Sequence, residues 1–244
     1  MKTLKHLPVL LLAALCALAT AHSEVFIDLD IANDAVKNRG TLGDPTVNLR
    51  TAGAFVPVGN GQGFKTGANG MGSSATNGPE TGTITWKNAA IAGKVDTVET
   101  FSMYMWLKPE TAPTTVARIF NKGVFGVGFN NGNVFLQING KQTNCYFYGL
   151  AKNAAAKWIF VGISFAKGDV TACFGTPDSP NLTFVNAVSD QAQLKPSAVD
   201  LVIGNVDQLT RPFQGVIGTF FLSDDAGFDL NKAFESTREK YAGH

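Results

Sequence analysis

The chain has 244 residues, of which 45% are hydrophobic and only 16% charged, with 20 Lys and Arg set against 19 Asp and Glu. So even a balance leaves no electrostatic footprint for nucleic acid or for an anionic membrane surface. No histidine lies between residues 23 and 243, which excludes a histidine-based nucleophilic relay and zinc sites built on imidazole.

The amino terminus reads as an export leader. Lys2 and Lys5 give a basic start, Leu7 to Leu18 is an uncharged apolar run, and Ala19-Thr20-Ala21 has the small-x-small form that signal peptidase accepts. The run is shorter than the ~20 residues a spanning helix needs. Cys16 follows the bulky Leu15 and is not a lipidation site. The sequence therefore predicts a signal peptide over 1–21 and one domain over 22–244, secreted or, in a bacterium, periplasmic. Loss of Lys2 and Lys5 takes the net charge from +1 to −1. No second apolar segment predicts membrane insertion after cleavage.

Beyond the leader, strand signals follow one another. Val25, Ile27, Leu29 and Ile31 alternate with Phe26, Asp28 and Asp30. Asn38 to Pro45 is dense in turn formers, and residues 59–82 are glycine-rich, a long loop with at most one short strand. Phe101 to Leu107 alternates and stops at Lys108-Pro109. Val116 to Phe120 and Val124 to Phe129 are short apolar runs. Asn131-Gly132 is a hairpin signal into Val134 to Ile138, and Asn139-Gly140 a second one into Cys145 to Tyr148. Trp158 to Phe165 turns through Lys167-Gly168-Asp169 into Val170 to Phe174; Asp200 to Gly204 and Phe213 to Leu222 complete the set. Short strands separated by Gly and Asn turns predict an all-β, two-sheet antiparallel sandwich. A short helix follows, capped by Asp229, with Leu230, Phe234 and Tyr241 on its apolar face.

Cys145 and Cys173 survive leader removal. They form a bridge, as an even pair in an oxidising compartment suggests, or remain two buried thiols. If their strands flank one middle strand, they lie roughly 9–10 Å apart, beyond the ~7 Å a disulfide spans.

Several segments, in order, resemble the concanavalin A-like lectin/glucanase superfamily, in its laminin-G-like (LamG) jelly-roll branch. Phe101-Ser102-Met103-Tyr104-Met105-Trp106-Leu107-Lys108-Pro109 is similar to its "F-T-I-S-x-W-V-K-P" strand, and Trp158 to Phe165 to "W-x-x-V-A-V-T-F". Leu201-Val202-Ile203-Gly204 resembles "L-x-I-G", and Phe213 to Leu222 resembles "F-x-G-x-I-D-x-V-x-I-Y". Gly218 and Thr219 stand where the family often has acids, so no cation contact is carried over from those positions.

The resemblance implies carbohydrate or extracellular partners. The glucanase motif E-x-D-x-x-E has its nearest match in Lys94-Val95-Asp96-Thr97-Val98-Glu99, which lacks the first carboxylate; Asp96 and Glu99 then read as exposed charges. Asp28 and Asp30, about 6.5–7 Å apart on one strand face, are a solvated pair, an acid–base pair or calcium ligands. Asp224, Asp225 and Asp229 either offer oxygens to Ca²⁺ or form a turn and a helix cap. Trp86, Tyr104, Trp106, Tyr146 and Tyr148 are the candidate sugar-stacking aromatics, or core. The expected function is a non-catalytic module that binds a glycan or an extracellular surface protein; the alternatives are a divergent carbohydrate-active enzyme and a structural surface protein.

Overall fold

The computed structural model describes residues 23–50, 53–67, 80–112, 116–148, 150 and 154–243. The leader 1–21, His22 and His244 lie outside the described residues. The chain is a sandwich of two antiparallel sheets. One holds β1 (Val25–Ala32), β2 (Ala35–Asn38), β4 (Ala54–Val58), β5 (Gly61–Lys65), β7 (Thr100–Pro109), β12 (Ile159–Ala166), β13 (Asp169–Gly175), β14 (Thr183–Val188) and β16 (Gly215–Ser223). Its order is β14-β13-β12-β7-β16-β1-β2, with the β4–β5 hairpin also joined to β16. The other sheet runs β11-β10-β9-β8-β15-β6-β3. Its members are β3 (Thr46–Asn48), β6 (Thr83–Trp86), β8 (Ala117–Lys122), β9 (Phe125–Asn130), β10 (Asn133–Ile138), β11 (Lys141–Cys145) and β15 (Leu201–Ile203).

Alternation along β7 explains the layering. Phe101, Met103, Met105 and Leu107 enter the core between the sheets. Tyr104 and Trp106 point the other way, into a second apolar layer with Trp158, Phe160, Phe221, Leu230, Phe234 and Tyr241. That layer is roofed by α2 (Leu230–Thr237) and the 3-10 turn Arg238–Tyr241. Asp229 caps α2 as expected, its carboxylate accepting from Lys232 N at 3.0 Å. A one-turn helix, α1 (Asn88–Ile91), follows β6.

Two bulges set how the ends of the sheet are used. In β1 the register shifts between Val25 and Ile27. The expected alternation therefore breaks there: Phe26 joins Ile27 in the inter-sheet core, and Val25 packs on the outer layer. In β16 the register shifts between Ile217 and Thr219, at Gly218. A Cβ on Gly218 would lie 2.5 Å from Tyr241 Cε1, and Thr219 Oγ1 hydrogen-bonds the Tyr241 hydroxyl. The residues standing where the resembled family often carries acids thus seat an aromatic ring.

The Asn131-Gly132 and Asn139-Gly140 hairpins form, with both residues of each turn at positive φ. The strand after the second turn is Lys141–Cys145, not Cys145 to Tyr148. A two-residue turn starts pairing at once, so Lys141 pairs with Ile138, although an exposed polar edge strand lacks the apolar signal.

Cys145 and Cys173 are free thiols. Cys145 sits in the inter-sheet core, whereas Cys173 belongs to the other sheet and points into the helix-covered layer. A sheet separates them, so the bridge does not form. Burial pushes the Cys145 thiol from 9.0 up to about 11 and the Cys173 thiol up to about 12, the latter opposed in small part by the Gly162 backbone N–H. Tyr104 rises to about 12 through burial and then the charge of Asp28, and burial also raises Tyr241.

All four groups are neutral when protonated, and the unfolded chain releases these protons first. Their contribution to stability is therefore complete below about pH 9 and declines as pH climbs towards the folded values near 11 and 12. Urea midpoints are expected to hold between about pH 7 and 9 and to fall steeply by about pH 11, with the buried Tyr104 and Tyr241 ionising only as the chain unfolds. An unchanged midpoint across that range would contradict the burial of these side chains.

Candidate functional site

The aromatic candidates separate sharply. Trp86 is buried in the inter-sheet core, its Nε1 donating to Gly43 O at 2.8 Å. Tyr104 and Trp106 are likewise enclosed: Tyr104 stacks between Phe160 and Phe221 at 5.5 and 5.1 Å. Trp106 lies 4.5 Å from Tyr241, and its Nε1 donates to Thr237 Oγ1. No sugar reaches these three rings: Trp86 lies between the sheets, and α2 and the 3-10 turn cover the face of β7 that carries Tyr104 and Trp106. Tyr146 and Tyr148 are exposed, at 67% and 109%, just past the end of β11, with Phe147 between them buried against Phe174.

The acidic candidates are engaged locally. Asp224 Oδ1 accepts from Glu24 N, Asp225 Oδ1 from Gly227 N, and Asp229 from Lys232 N. These are a turn and a cap. Asp28 makes a two-point pair with Arg39, whose Nε and Nη2 donate at 3.0 and 2.8 Å; Asp30 stays exposed. No group of three or more His, Cys, Asp or Glu side chains able to hold a metal ion occurs among the described residues. Asp96, expected at the surface, is instead buried against Lys122, because the 195–199 segment folds over both.

A pocket that these candidates do not include lies on the outer face of the second sheet. β8, β9 and β10 pair so that Arg118, Gly128 and Phe135 form one cross-strand row, and Asn121, Gly126 and Gln137 the next. Arg118 and Asn121 are three residues apart and would ordinarily face opposite sides of a strand. The bulge between Arg118 and Phe120 brings both outward. Phe120 and Lys122 consequently turn inward, fully buried.

Beside Arg118 and Asn121 the outward positions of β9 are both glycine, Gly126 and Gly128. A Cβ on Gly128 would lie 2.0 Å from Ala117 O, and one on Gly126 would lie 3.0 Å from Phe120 O and 3.4 Å from Arg118 Nη1. The two glycines admit the protein's own side chains, with Asn121 Nδ2 and Arg118 Nη1 lying over Gly126 and the Phe135 ring over Gly128. The wall is the loop from Asn205 to Phe213. Buried Asn205 closes it by accepting from Val206 N and Arg211 N, both at 2.9 Å, and Arg211 O accepts from Arg118 N at 3.0 Å.

The enclosed space is about 270 Å³ and is lined by Arg118, Asn121, Gly123, Gln137 and the loop residues Val206 to Gln208, Thr210 and Arg211. Arg118 is held flat, its Cζ 4.4 Å from the centre of the Phe135 ring. Its Nε and Nη1, and Gln137 Oε1, are buried atoms with no partner within the protein. Desolvation, then the neighbouring charge of Arg211, lowers the Arg118 pKa to about 10, so it remains a cation at neutral pH.

Larger clefts exist, and their chemistry is different. One of about 420 Å³ runs between the β4–β5 hairpin and β7–β16. Its carboxylate is already engaged, since Glu110 pairs with Lys65 at 3.0 Å and accepts from Gln214 Nε2. The pocket beside the 205–213 loop is lined instead by the Arg118 and Arg211 cations, the Asn121 and Gln137 amides and the Asp207 carboxylate. No helix among the described residues is long and apolar enough to cross a membrane.

No family model and no curated protein matches the chain. Among solved structures it is similar to the binding domain of botulinum neurotoxin DC in complex with rat synaptotagmin II, with a TM-score of 0.59 and 16% identity over 87% of this chain and 51% of that one. It is also similar to domain 4 of AbnA, a GH43 extracellular arabinanase from Geobacillus stearothermophilus, in complex with arabinotriose. That match has a TM-score of 0.52 and 14% identity over 82% of this chain and 92% of that one. The chain spans about half the length of the neurotoxin binding domain it matches. At these identities the likeness is one of fold: the chain is a two-sheet antiparallel β-sandwich of an architecture that both of those proteins contain.

Proposed function

We propose that this protein is a secreted binding module of the LamG-like type, without catalytic function, that recognises a glycan of an extracellular surface on the outer face of its second sheet. The observation that carries the reading is the pocket of Arg118, Asn121 and Gln137, which sets amide and charged groups beside the 206–211 loop on the outer face of that sheet. Support for a glycan comes from the arabinotriose-bound neighbour and from the exposed Tyr146 ring. In β11, Gln142 and Asn144 pair with Gln137 and Phe135 and so share the pocket's face. Tyr146 is next in that alternation and is exposed just past the end of β11, where it offers a stacking surface on the same side of the sheet.

The processed chain is expected to retain one or more polysaccharides in a glycan-array or pull-down screen, with or without calcium. Gln137→Leu and Tyr146→Ala are each expected to weaken binding about tenfold, which corresponds to ~1.4 kcal/mol. Thermal stability should be little changed, since the Tyr146 ring is exposed past the end of β11 and Gln137 Oε1 has no partner within the protein. An absence of glycan binding, or binding indifferent to both substitutions, would remove this reading.

A further inference from the structure

We infer that the cleft beside Trp158, on the outer face of the first sheet, is a second binding site and takes a small organic acid: a carboxylate carried on an apolar body.

Strand register builds the cleft. Lys65 of β5 and Lys108 of β7 both pair with Val216 of β16, one on each side, so the three side chains form a row on the outer face of the sheet. β12 meets β7 with Ile159 opposite Leu107, and one further step of that register sets Trp158 next to Lys108. Val56, Pro57 and Val58 of β4, with Pro109 and Ala156, add apolar walls around a space of about 420 Å³. Ala156 N donates to Pro109 O at 2.7 Å, which pins that wall to β7.

Two donors that line this space are unmatched. Trp158 is only 3% exposed, yet its indole N–H donates to nothing among the described residues and is not sealed from solvent. The other two indoles are matched, Trp86 by Gly43 O and Trp106 by Thr237 Oγ1, as a largely buried indole ordinarily is. The Lys108 ammonium likewise has no ion pair or hydrogen bond among the described residues. Lys65 is neutralised by Glu110 at 3.0 Å, so the cleft keeps one positive charge in excess.

These features select the occupant. A carboxylate accepts from both an ammonium and a neighbouring N–H, and charge-assisted bonds of that kind are the stronger ones. A bare inorganic ion would leave the valine and proline walls against water, whereas an alkyl or aryl body covers them. A sugar is poorly matched, since its hydroxyls would lose water against those walls, and the Trp158 ring already packs on Tyr241 at 4.7 Å.

The test is calorimetric titration of the processed protein with octanoate beside octanamide, 3-phenylpropionate beside its amide, octylammonium, and a leucine-terminated peptide beside its C-terminal amide. At least one of the two small acids is expected to bind about ten times or more tightly than its amide and than octylammonium, and the pair that responds identifies an aliphatic or an aryl body. Lys108→Met should remove most of that preference without moving the melting temperature, because the side chain is half-buried and unpaired. Trp158→Phe should weaken the acid further, and the native-protein arms remain decisive if that variant folds poorly. Gln137→Leu should leave acid binding unchanged, so the result does not depend on the glycan-binding reading. Equal binding of acid and amide, an acid preference that survives Lys108→Met, or no binding of either acid would overturn the inference. A leucine-terminated peptide bound more tightly than both acids would overturn the choice of a small molecule.

Discussion

Lys122→Met is expected to destabilise the protein by about 3–5 kcal/mol, the cost of stranding one partner of a buried ion pair. Lys122 and Asp96 are 0% and 1% exposed, with Nζ 3.3 Å from Asp96 Oδ2. The ammonium also donates to Asn88 Oδ1 at 2.7 Å, Ser197 O at 2.5 Å and Val199 O at 2.7 Å. Asp96 Oδ2 accepts in turn from Ser197 N at 2.7 Å, while Asp96 Oδ1 has no partner within the protein. One cation thus ties β8, α1 and the 195–199 segment together. Its removal leaves a buried carboxylate and three unmatched oxygens, and each of those losses is costly.

A double variant, Lys122→Met with Asp96→Leu, should recover part of the loss, since an apolar pair of similar volume carries no desolvation penalty. Urea unfolding at neutral pH distinguishes these outcomes. A single variant within about 1 kcal/mol of the parent would place the pair in solvent, contrary to the structure.

Trp106→Ala carries the second large effect, about 3–5 kcal/mol. The ring is fully buried, lies 5.4, 5.8 and 4.5 Å from Phe160, Phe234 and Tyr241, and donates its indole N–H to Thr237. Truncation opens a cavity beneath α2 and removes one of the bonds that dock it. For a chain of this size the melting temperature should fall by roughly 6–20 °C. Were Trp106 a sugar-stacking residue, the same substitution would abolish binding and leave the melt in place. The two roles make opposite predictions for one variant.

The sequence was most legible where side chains are buried in a regular rhythm. β7, β12 and β16, the Asn-Gly hairpins and the Asp229-capped helix are read directly from alternation, turn residues and cap. Edge strands were not: Thr183–Val188 and Lys141–Cys145 bury little, so their composition does not differ from that of a loop. β2 and β4 were missed for the same reason. The five candidate aromatics could not be sorted, because alternation places Tyr104 and Trp106 on one face without saying that a helix from the far end of the chain will cover it. Asp96 carried no mark of burial, since its partner is 26 residues away. The pocket was hidden most deeply. Its lining comes from β8, β10 and the 206–211 loop, and Arg118 meets Asn121 only through a bulge that pairing creates.

The way the two ends of this fold clasp each other bears on when it can form. β1 pairs with β16, and Glu24 N donates to Asp224 Oδ1 across 200 residues of sequence. α2 then closes over rings contributed by β7 and β12. Neither contact exists until the final strand and helix have been made. Such non-local wiring implies slow, late collapse, on the millisecond-to-second scale common for β-topologies of high contact order. A polypeptide wired in this way stays open to proteases until its last elements have been made.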